Sequence, residues 1–146
     1  MTALHPHDRG HAGRKGLALE RRLRQQLDLL LDDHDCPRVL PVTFAMAEGA
    51  AWSAIDQKPK RSAEPARVGY LRRRPEAALC VDLYDDDWGR LAWVQVLGRV
   101  RVLPAEADLA GMEALGAKYA QYGERAPQGP LLCLRIERAI CWRAQG

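Results

Sequence analysis

The run 91–103 limits the possible folds of this chain more than any other segment. Its odd positions begin with Leu91, Trp93, Gln95 and Leu97, three of them apolar, and become basic only at Arg99. A period of two predicts a β-strand, and a strand that is apolar on both faces must be covered on both. In a small barrel the outer cover would be a second subunit, so we expect a homodimer. The even positions of the run form the other apolar face: Ala92, Val94, Val96, Val100 and Val102.

Size and composition favour one globular domain. The chain has 146 residues, of which 47% are hydrophobic, and a domain of this length buries enough surface to fold without disulfides or metals. We expect residues 1–13 to form a disordered arm and residues 14–146 to form a single domain. No apolar run is long enough for a membrane span or a signal-peptide core, so we expect a cytoplasmic protein without membrane contact.

The four cysteines are not arranged as a metal site, because none belongs to a C-x-x-C pair. Three of them lie inside apolar, strand-like runs, where cysteine is usually a small core residue. We therefore expect reduced cysteines and no metal, with Cys36 in a turn and the others buried: Cys80, Cys133 and Cys141.

The remaining pattern predicts a mainly β chain with some helices. Helices are expected over 14–26, 61–73 and 105–119, and a short hairpin turn over 47–49, where Gly49 supplies a positive φ. Strands are expected over 39–46, 51–56, 77–84, 91–103 and 131–142. The short apolar run 27–31 is counted as a sixth strand. Six antiparallel strands suggest a closed barrel flanked by helices, since closure removes exposed sheet edges.

The sharpest chemical feature is a basic turn that follows the strand 51–56. Lys58, Lys60 and Arg61 stand just before a predicted helix, where cations and free N–H groups suit a phosphate. The alternative is an ordinary solvated basic surface. The chain has no nucleophile elbow, P-loop, zinc motif or glycine-rich dinucleotide fingerprint. No catalytic residue can be named, and a cofactor would supply the reactive atoms.

Several motifs resemble one family in order and spacing. They are Pro41-Val42-Thr43-Phe44-Ala45, the run from Ala54 to Arg61, the run from Val81 to Trp88, the run from Lys118 to Tyr122, and Leu134-Arg135-Ile136 with Trp142. Together they are similar to the split-barrel proteins related to pyridoxamine 5′-phosphate oxidase, most of all to the branch that uses the deazaflavin coenzyme F-420. The resemblance covers residues 27–142.

The resemblance implies a six-stranded antiparallel split β-barrel of the FMN-binding type, with flanking helices. It also implies a homodimer that binds its cofactor between the subunits. By position, Lys58, Lys60 and Arg61 would hold the phosphate. Trp88 and Tyr119 would cover the ring system from the partner subunit, unless they are interface or core aromatics. The ring system would be lined by strand residues: Val42, Thr43, Ser53, Ala54 and Ile55.

The function expected from the resemblance is hydride transfer between F-420 and a small organic substrate. An FMN-binding oxidoreductase and a non-catalytic flavin- or deazaflavin-binding protein are the alternatives, and the scaffold also hosts haem-related ligands. The basic residues continue through Arg67 to Arg72, Arg73 and Arg74, which would suit the longer anionic tail of F-420. A nucleic-acid partner ranks last, because the basic run lacks interleaved aromatics.

Overall fold

The computed structural model describes residues 25–55 and 64–145. Within them the chain forms seven strands and three α-helices. The strands are β1 (Gln25–Leu31), β2 (Pro37–Pro41), β3 (Ala45–Ala47), β4 (Ala50–Ala54), β5 (Glu76–Leu83), β6 (Ala92–Leu103) and β7 (Leu131–Arg143). The helices are α1 (Ala66–Arg73), α2 (Leu109–Lys118) and α3 (Ala120–Glu124), with 3-10 turns at Trp88–Arg90 and Ala105–Ala107.

The strands follow the order β2-β1-β5-β6-β7-β4-β3, and every neighbouring pair is antiparallel. The mainly β class with helices is therefore confirmed, but the expected number of six strands is wrong. The predicted strand 39–46 is interrupted between Pro41 and Ala45. Proline has no N–H to donate to a ladder, and the backbone of Phe44 is hydrogen-bonded to a side chain instead.

The sheet is curved around one apolar core. Strands far apart in the order, such as β1 and β4, contribute to the same cluster, and α1 adds Val68 and Leu71. The expected closure of the barrel is not present as a hydrogen-bonded ladder, since β2 and β3 remain the two edges of the described sheet. The core cluster also contains Leu30, Phe44, Ala51, Ile55, Leu79, Val81, Val100, Leu132 and Leu134.

Helix α2 covers a second cluster on the other face of β4 and β7. Trp52, Cys133 and Leu115 lie there, and all three are buried. Gly111 makes the close approach possible, because a Cβ at this position would lie 2.5 Å from Cε3 of Trp52. The side chain of Asp108 accepts a hydrogen bond from the backbone N–H of Gly111 at 2.9 Å and so caps the helix. This cap starts α2 later than position 105, where the sequence predicted it.

The hairpin between β3 and β4 confirms the predicted turn. Ala47 pairs with Ala50, and Gly49 has a φ of 73°. Glu48 also has a positive φ, of 51°; positive φ at both central residues is characteristic of a two-residue type I′ turn. This turn fixes the register of β4, which carries part of the candidate site.

The other two predicted helices also differ from the structure at their ends. Gln25 and Gln26 belong to β1, where they pair with β5, and not to a helix over 14–26. The rest of that helix, and the arm 1–13, lie outside the described residues. Helix α1 begins only at Ala66, with Pro65 as its N-cap, because a proline fits the start of a helix and not its interior.

Cysteine burial agrees in part with the prediction. Cys133 is buried, Cys80 and Cys141 are half-buried, and Cys36 is exposed. Burial raises the pKa of the Cys133 thiol and is also the main reason that the pKa of the Cys80 thiol is raised. Within the described residues, none of the helices has the length and apolar character that crossing a membrane requires.

Candidate functional site

The predicted ring-lining residues of β4 end that strand in a buried position. Ser53 and Ala54 are its last two residues, and Ile55 follows directly. All three are less than a tenth exposed. The backbone N–H of Ile55 donates to the carbonyl of Pro130 at 3.1 Å, so the loop before β7 fixes this strand end.

The segment between β2 and β3 leads into the hairpin that ends in this strand. Its last residue precedes Ala45, which pairs with Trp52 in an antiparallel register. Val42 is half-buried and Thr43 is exposed. Val42 packs against the core cluster that contains Ile55, the residue after β4.

The hydroxyl of Tyr119 is hydrogen-bonded to the backbone of Phe44, in the segment between β2 and β3. It donates to the carbonyl of Phe44 at 3.0 Å and accepts from the backbone N–H of the same residue at 3.1 Å. One hydroxyl therefore satisfies both backbone groups of a residue that is 3% exposed. Tyr119 lies between α2 and α3 and packs on the cluster beneath α2, as the alternative role of a core aromatic predicts.

Two neighbours of Tyr119 reach the same segment, and the sequence analysis gave neither a role. The hydroxyl of Tyr122 is hydrogen-bonded to Oγ1 of Thr43 at 3.0 Å. The ammonium of Lys118 lies 4.0 Å from the ring centroid of Phe44, within cation–π range. The run Lys118 to Tyr122 supported the family resemblance, and in the structure its side chains contact Thr43 and Phe44.

Trp88 lies elsewhere on the described chain. It begins a 3-10 turn between β5 and β6 and is 76% exposed. This turn is next to the end of β7, since Ala92 pairs with Arg143, whereas Ala54 pairs with Leu131 at the start of β7. Trp88 and the ring-lining residues are therefore at opposite ends of β7 within one chain.

The basic turn itself, with Lys58, Lys60 and Arg61, lies outside the described residues. The arginines after it lie within them, and three form ion pairs. Arg72 pairs with Glu64 at 2.5 Å, Arg74 pairs with Asp35 at 2.6 Å, and Arg73 pairs with Asp33. These carboxylates offset part of the positive charge that the sequence analysis assigned to a longer basic surface.

Arg67 differs from these three arginines. Its Nε is buried, and within the described part of the chain it has no hydrogen-bond partner. Arg67 stands in the first turn of α1, whose N-cap Pro65 provides no side-chain hydrogen bond and whose first turn contains no acidic residue. A buried guanidinium nitrogen in the first turn of a helix suits an anion. Sequence reasoning counted Arg67 among the distant arginines and missed this difference.

The turn between β1 and β2 explains where the paired arginines attach. The carboxylate of Asp32 accepts hydrogen bonds from the backbone N–H groups of His34 and Cys36 and from Nε of Arg38. The bond from His34 is the main reason that the pKa of Asp32 is lowered. This folded turn presents the carboxylates of Asp33 and Asp35, which pair with Arg73 and Arg74.

Comparison with known proteins identifies the fold. No family model matches the chain, and no curated protein matches it. Among solved structures it is similar to a protein of the pyridoxinephosphate oxidase family from Clostridium acetobutylicum that is related to general stress protein 26. That match has a TM-score of 0.62 and 16% identity, and covers 91% of this chain and 89% of the other.

Two further structures share the fold. An FAD-binding protein from Mesorhizobium loti matches with a TM-score of 0.60 and 18% identity over 89% of this chain and 92% of its own. The haem storage protein HutZ from Vibrio cholerae matches with a TM-score of 0.68 and 9% identity over 89% and 92%. At such identities the similarity establishes the fold, and function has to be argued from the site.

Proposed function

We propose that this chain is a split-barrel oxidoreductase that binds a phosphorylated flavin-type cofactor and transfers a hydride to or from a small organic substrate. The coenzyme is F-420 in the first place, with FMN as the alternative. The cofactor supplies the redox chemistry when bound, and the protein supplies orientation, phosphate binding and exclusion of water.

The observation that carries this proposal is the orphaned Nε of Arg67 at the start of α1. A buried polar N–H without a partner is costly, and an anion that accepts from it removes that cost. Arg67 follows the basic turn by only a few residues, and the turn follows the strand end at Ser53–Ile55. A cofactor with a ring at one end and a phosphate at the other fits this order of groups.

Other observations support a flavin-type ligand more than a haem. One neighbour in fold is described as FAD-binding and another as belonging to the pyridoxinephosphate oxidase family, although HutZ is a haem storage protein. A haem iron is usually held by a side chain such as histidine. In the described part of the chain the only histidine is His34, which lies exposed in the turn between β1 and β2.

The choice between F-420 and FMN now rests on the sequence resemblance. The extended basic surface favoured the longer anion in the sequence analysis. Three of its arginines, Arg72–Arg74, form ion pairs with Glu64, Asp33 and Asp35. FMN ends in a single phosphate, which the cations of the basic turn and Arg67 can satisfy. Direct titration of both ligands decides between them.

The decisive experiment is fluorescence titration of F-420 and of FMN against wild type, Lys58→Ala, Arg61→Ala, Arg67→Ala and Arg73→Ala. Charge-assisted hydrogen bonds contribute about 1.5–3 kcal/mol each, so each of the first three substitutions should weaken binding roughly ten- to a hundredfold. Arg73→Ala is the matched control, because its side chain is 56% exposed and pairs with Asp33; such pairs contribute little.

Each result of the titration has a definite reading. Tighter binding of F-420, lost at Arg67 and the basic turn but kept at Arg73, supports the proposal in full. Tighter binding of FMN replaces the cofactor and keeps the scaffold assignment. If neither ligand binds while haemin gives a stoichiometric absorbance change, the flavin proposal is wrong.

We also propose a homodimer in which Trp88 contacts the cofactor bound mainly by the partner subunit. Trp93 and Leu97, on the face of β6 opposite the core, are only half-buried, and Trp142 beside them on β7 is 40% exposed. Of the described helices, α1 packs on β1 and β6 from the core side, and α2 packs on β3 and β4. A second copy would bury this apolar face. A monomer mass in light scattering at micromolar concentration would contradict the dimer and the shared site.

A further inference from the structure

The segment between β2 and β3 depends on two hydroxyl groups from the junction of α2 and α3. Tyr119 holds both backbone groups of Phe44 at 3.0 and 3.1 Å, and Tyr122 holds Oγ1 of Thr43 at 3.0 Å. The rings of the two tyrosines pack edge to face with centroids 5.8 Å apart, which limits their movement. The junction therefore fixes the backbone at Phe44 and the side chain at Thr43.

Thr43 is the exposed member of this arrangement. A hydroxyl can donate one hydrogen bond and accept two. A phenol is a stronger acid than an aliphatic alcohol, so in the pair with Tyr122 the phenol is the favoured donor and Thr43 the acceptor. The proton of Thr43 is then left for an acceptor on a ligand. Thr43 follows Val42, which packs against the core cluster that contains Ile55 at the end of β4.

We infer that Tyr122 and Tyr119 are positioning residues of the cofactor site: Tyr119 fixes the segment, and Tyr122 orients the Thr43 hydroxyl as a donor toward a ring carbonyl of the cofactor. This inference rests on the proposed function. Reduction of a flavin or deazaflavin places more negative charge on its carbonyl edge. A donor directed there stabilises the reduced form more than the oxidised form and raises the midpoint potential.

Substitution of Tyr122 tests the inference better than substitution of Tyr119. The loss of the Tyr119 hydroxyl would leave both backbone groups of buried Phe44 without partners, so Tyr119→Phe would also weaken folding. The Tyr122 bond instead joins two side chains in an exposed setting, and Tyr122→Phe should fold normally. Tyr84→Phe is the matched control, since Tyr84 is 74% exposed next to β5 and its hydroxyl is not bonded to Thr43.

The experiment measures two quantities on wild type, Tyr122→Phe, Thr43→Val, Thr43→Ser, the double variant Tyr122→Phe/Thr43→Val, and Tyr84→Phe. They are the dissociation constant of F-420 and FMN by fluorescence titration, and the midpoint potential of the bound cofactor by spectroscopic titration. One neutral hydrogen bond corresponds to roughly a two- to tenfold change in affinity. We expect Tyr122→Phe and Thr43→Val each to weaken binding by this amount and to make the potential more negative.

The double variant should bind no more weakly than Thr43→Val alone, because Tyr122 acts through Thr43. Thr43→Ser, which keeps the hydroxyl, should retain wild-type affinity and potential, as should Tyr84→Phe. A purely structural role for Tyr122 would change the melting temperature and leave the potential of the bound cofactor unaltered.

Two failures are distinguishable. If wild type binds neither F-420 nor FMN, the proposed function fails and this inference fails with it. If wild type binds one of them while Tyr122→Phe and Thr43→Val match its affinity and potential, the proposed function stands and the positioning role is overturned. Additive effects in the double variant would also overturn it, because they would mean that the two hydroxyls act independently.

Discussion

Substitution of Gly111 by alanine tests how α2 is seated on the sheet. The added Cβ would lie 2.5 Å from Cε3 and 2.6 Å from Cδ2 of Trp52, closer than carbon atoms pack. The indole cannot move aside easily, because it is 4% exposed and its Nε1–H donates to the carbonyl of Ala47 at 3.2 Å. Either the helix or the ring must therefore shift.

The magnitude follows from two opposing effects. Overpacking of a well-filled core costs about 1–3 kcal/mol, whereas replacing a helical glycine by alanine returns up to about 1 kcal/mol in a helix interior. Gly111 is in the first turn of α2, where this gain is smaller, so we expect the free energy of unfolding to fall by about 1–2 kcal/mol. For a domain of this size the melting temperature should drop by roughly 2–8 °C.

Gly116 provides a matched control in the same helix. A Cβ there would have its nearest neighbours in Gly123 and Tyr122 at 3.7–3.9 Å, which is ordinary van der Waals contact. Gly116→Ala should therefore stabilise the protein by up to about 1 kcal/mol. Urea denaturation of both variants and wild type measures the difference. Equal stability changes in the two variants, or a stable Gly111→Ala, would refute the described contact between α2 and Trp52.

Three further predictions concern stability and thiol chemistry. The pKa of Asp32 is lowered below its ordinary value of 3.8, so its contribution to folding should be lost as the pH falls through the lowered pKa; Asp32→Asn should lower the urea midpoint at neutral pH and flatten its decline in acid. Cys36 should react with a thiol reagent far faster than buried Cys133, and added reductant should leave the melting temperature unchanged; a marked drop would indicate a disulfide. Gly98→Ala should destabilise more than Gly111→Ala in the same denaturation assay, because the new Cβ would collide with a backbone carbonyl of β7 at the bulge.

Much of the scaffold could be predicted from local pattern. The alternation in 91–103 gave a strand that the structure places at Ala92–Leu103, and the turn at Gly49 was predicted from its conformational freedom. These features depend on neighbours in sequence, where periodicity and backbone preference act directly. The division of 39–46 into two strands was missed, because the group that replaces the ladder at Phe44 is Tyr119, distant in the chain.

Part of the candidate site is local for the same reason. One short hairpin connects Val42 and Thr43 to Ser53–Ile55, and Val42 packs against the core cluster that contains Ile55. The hydroxyl of Tyr122 was missed, because no local signal tells which surface a tyrosine after a helix will face. Only the path of the chain through α2 brings it to Thr43.

The sequence by itself determined the strands, the hairpin turn and the presence of a basic stretch from Lys58 to Arg74. Tertiary structure alone decided which of those cations could serve a ligand. Arg72, Arg73 and Arg74 look identical to Arg67 in a sequence, but they meet carboxylates from Glu64 and from the turn between β1 and β2, whereas Nε of Arg67 is buried without a partner among the described residues. The physical reason is that the effect of a charge depends on the nearest opposite charge and on burial in three dimensions, and neither quantity is a property of sequence order.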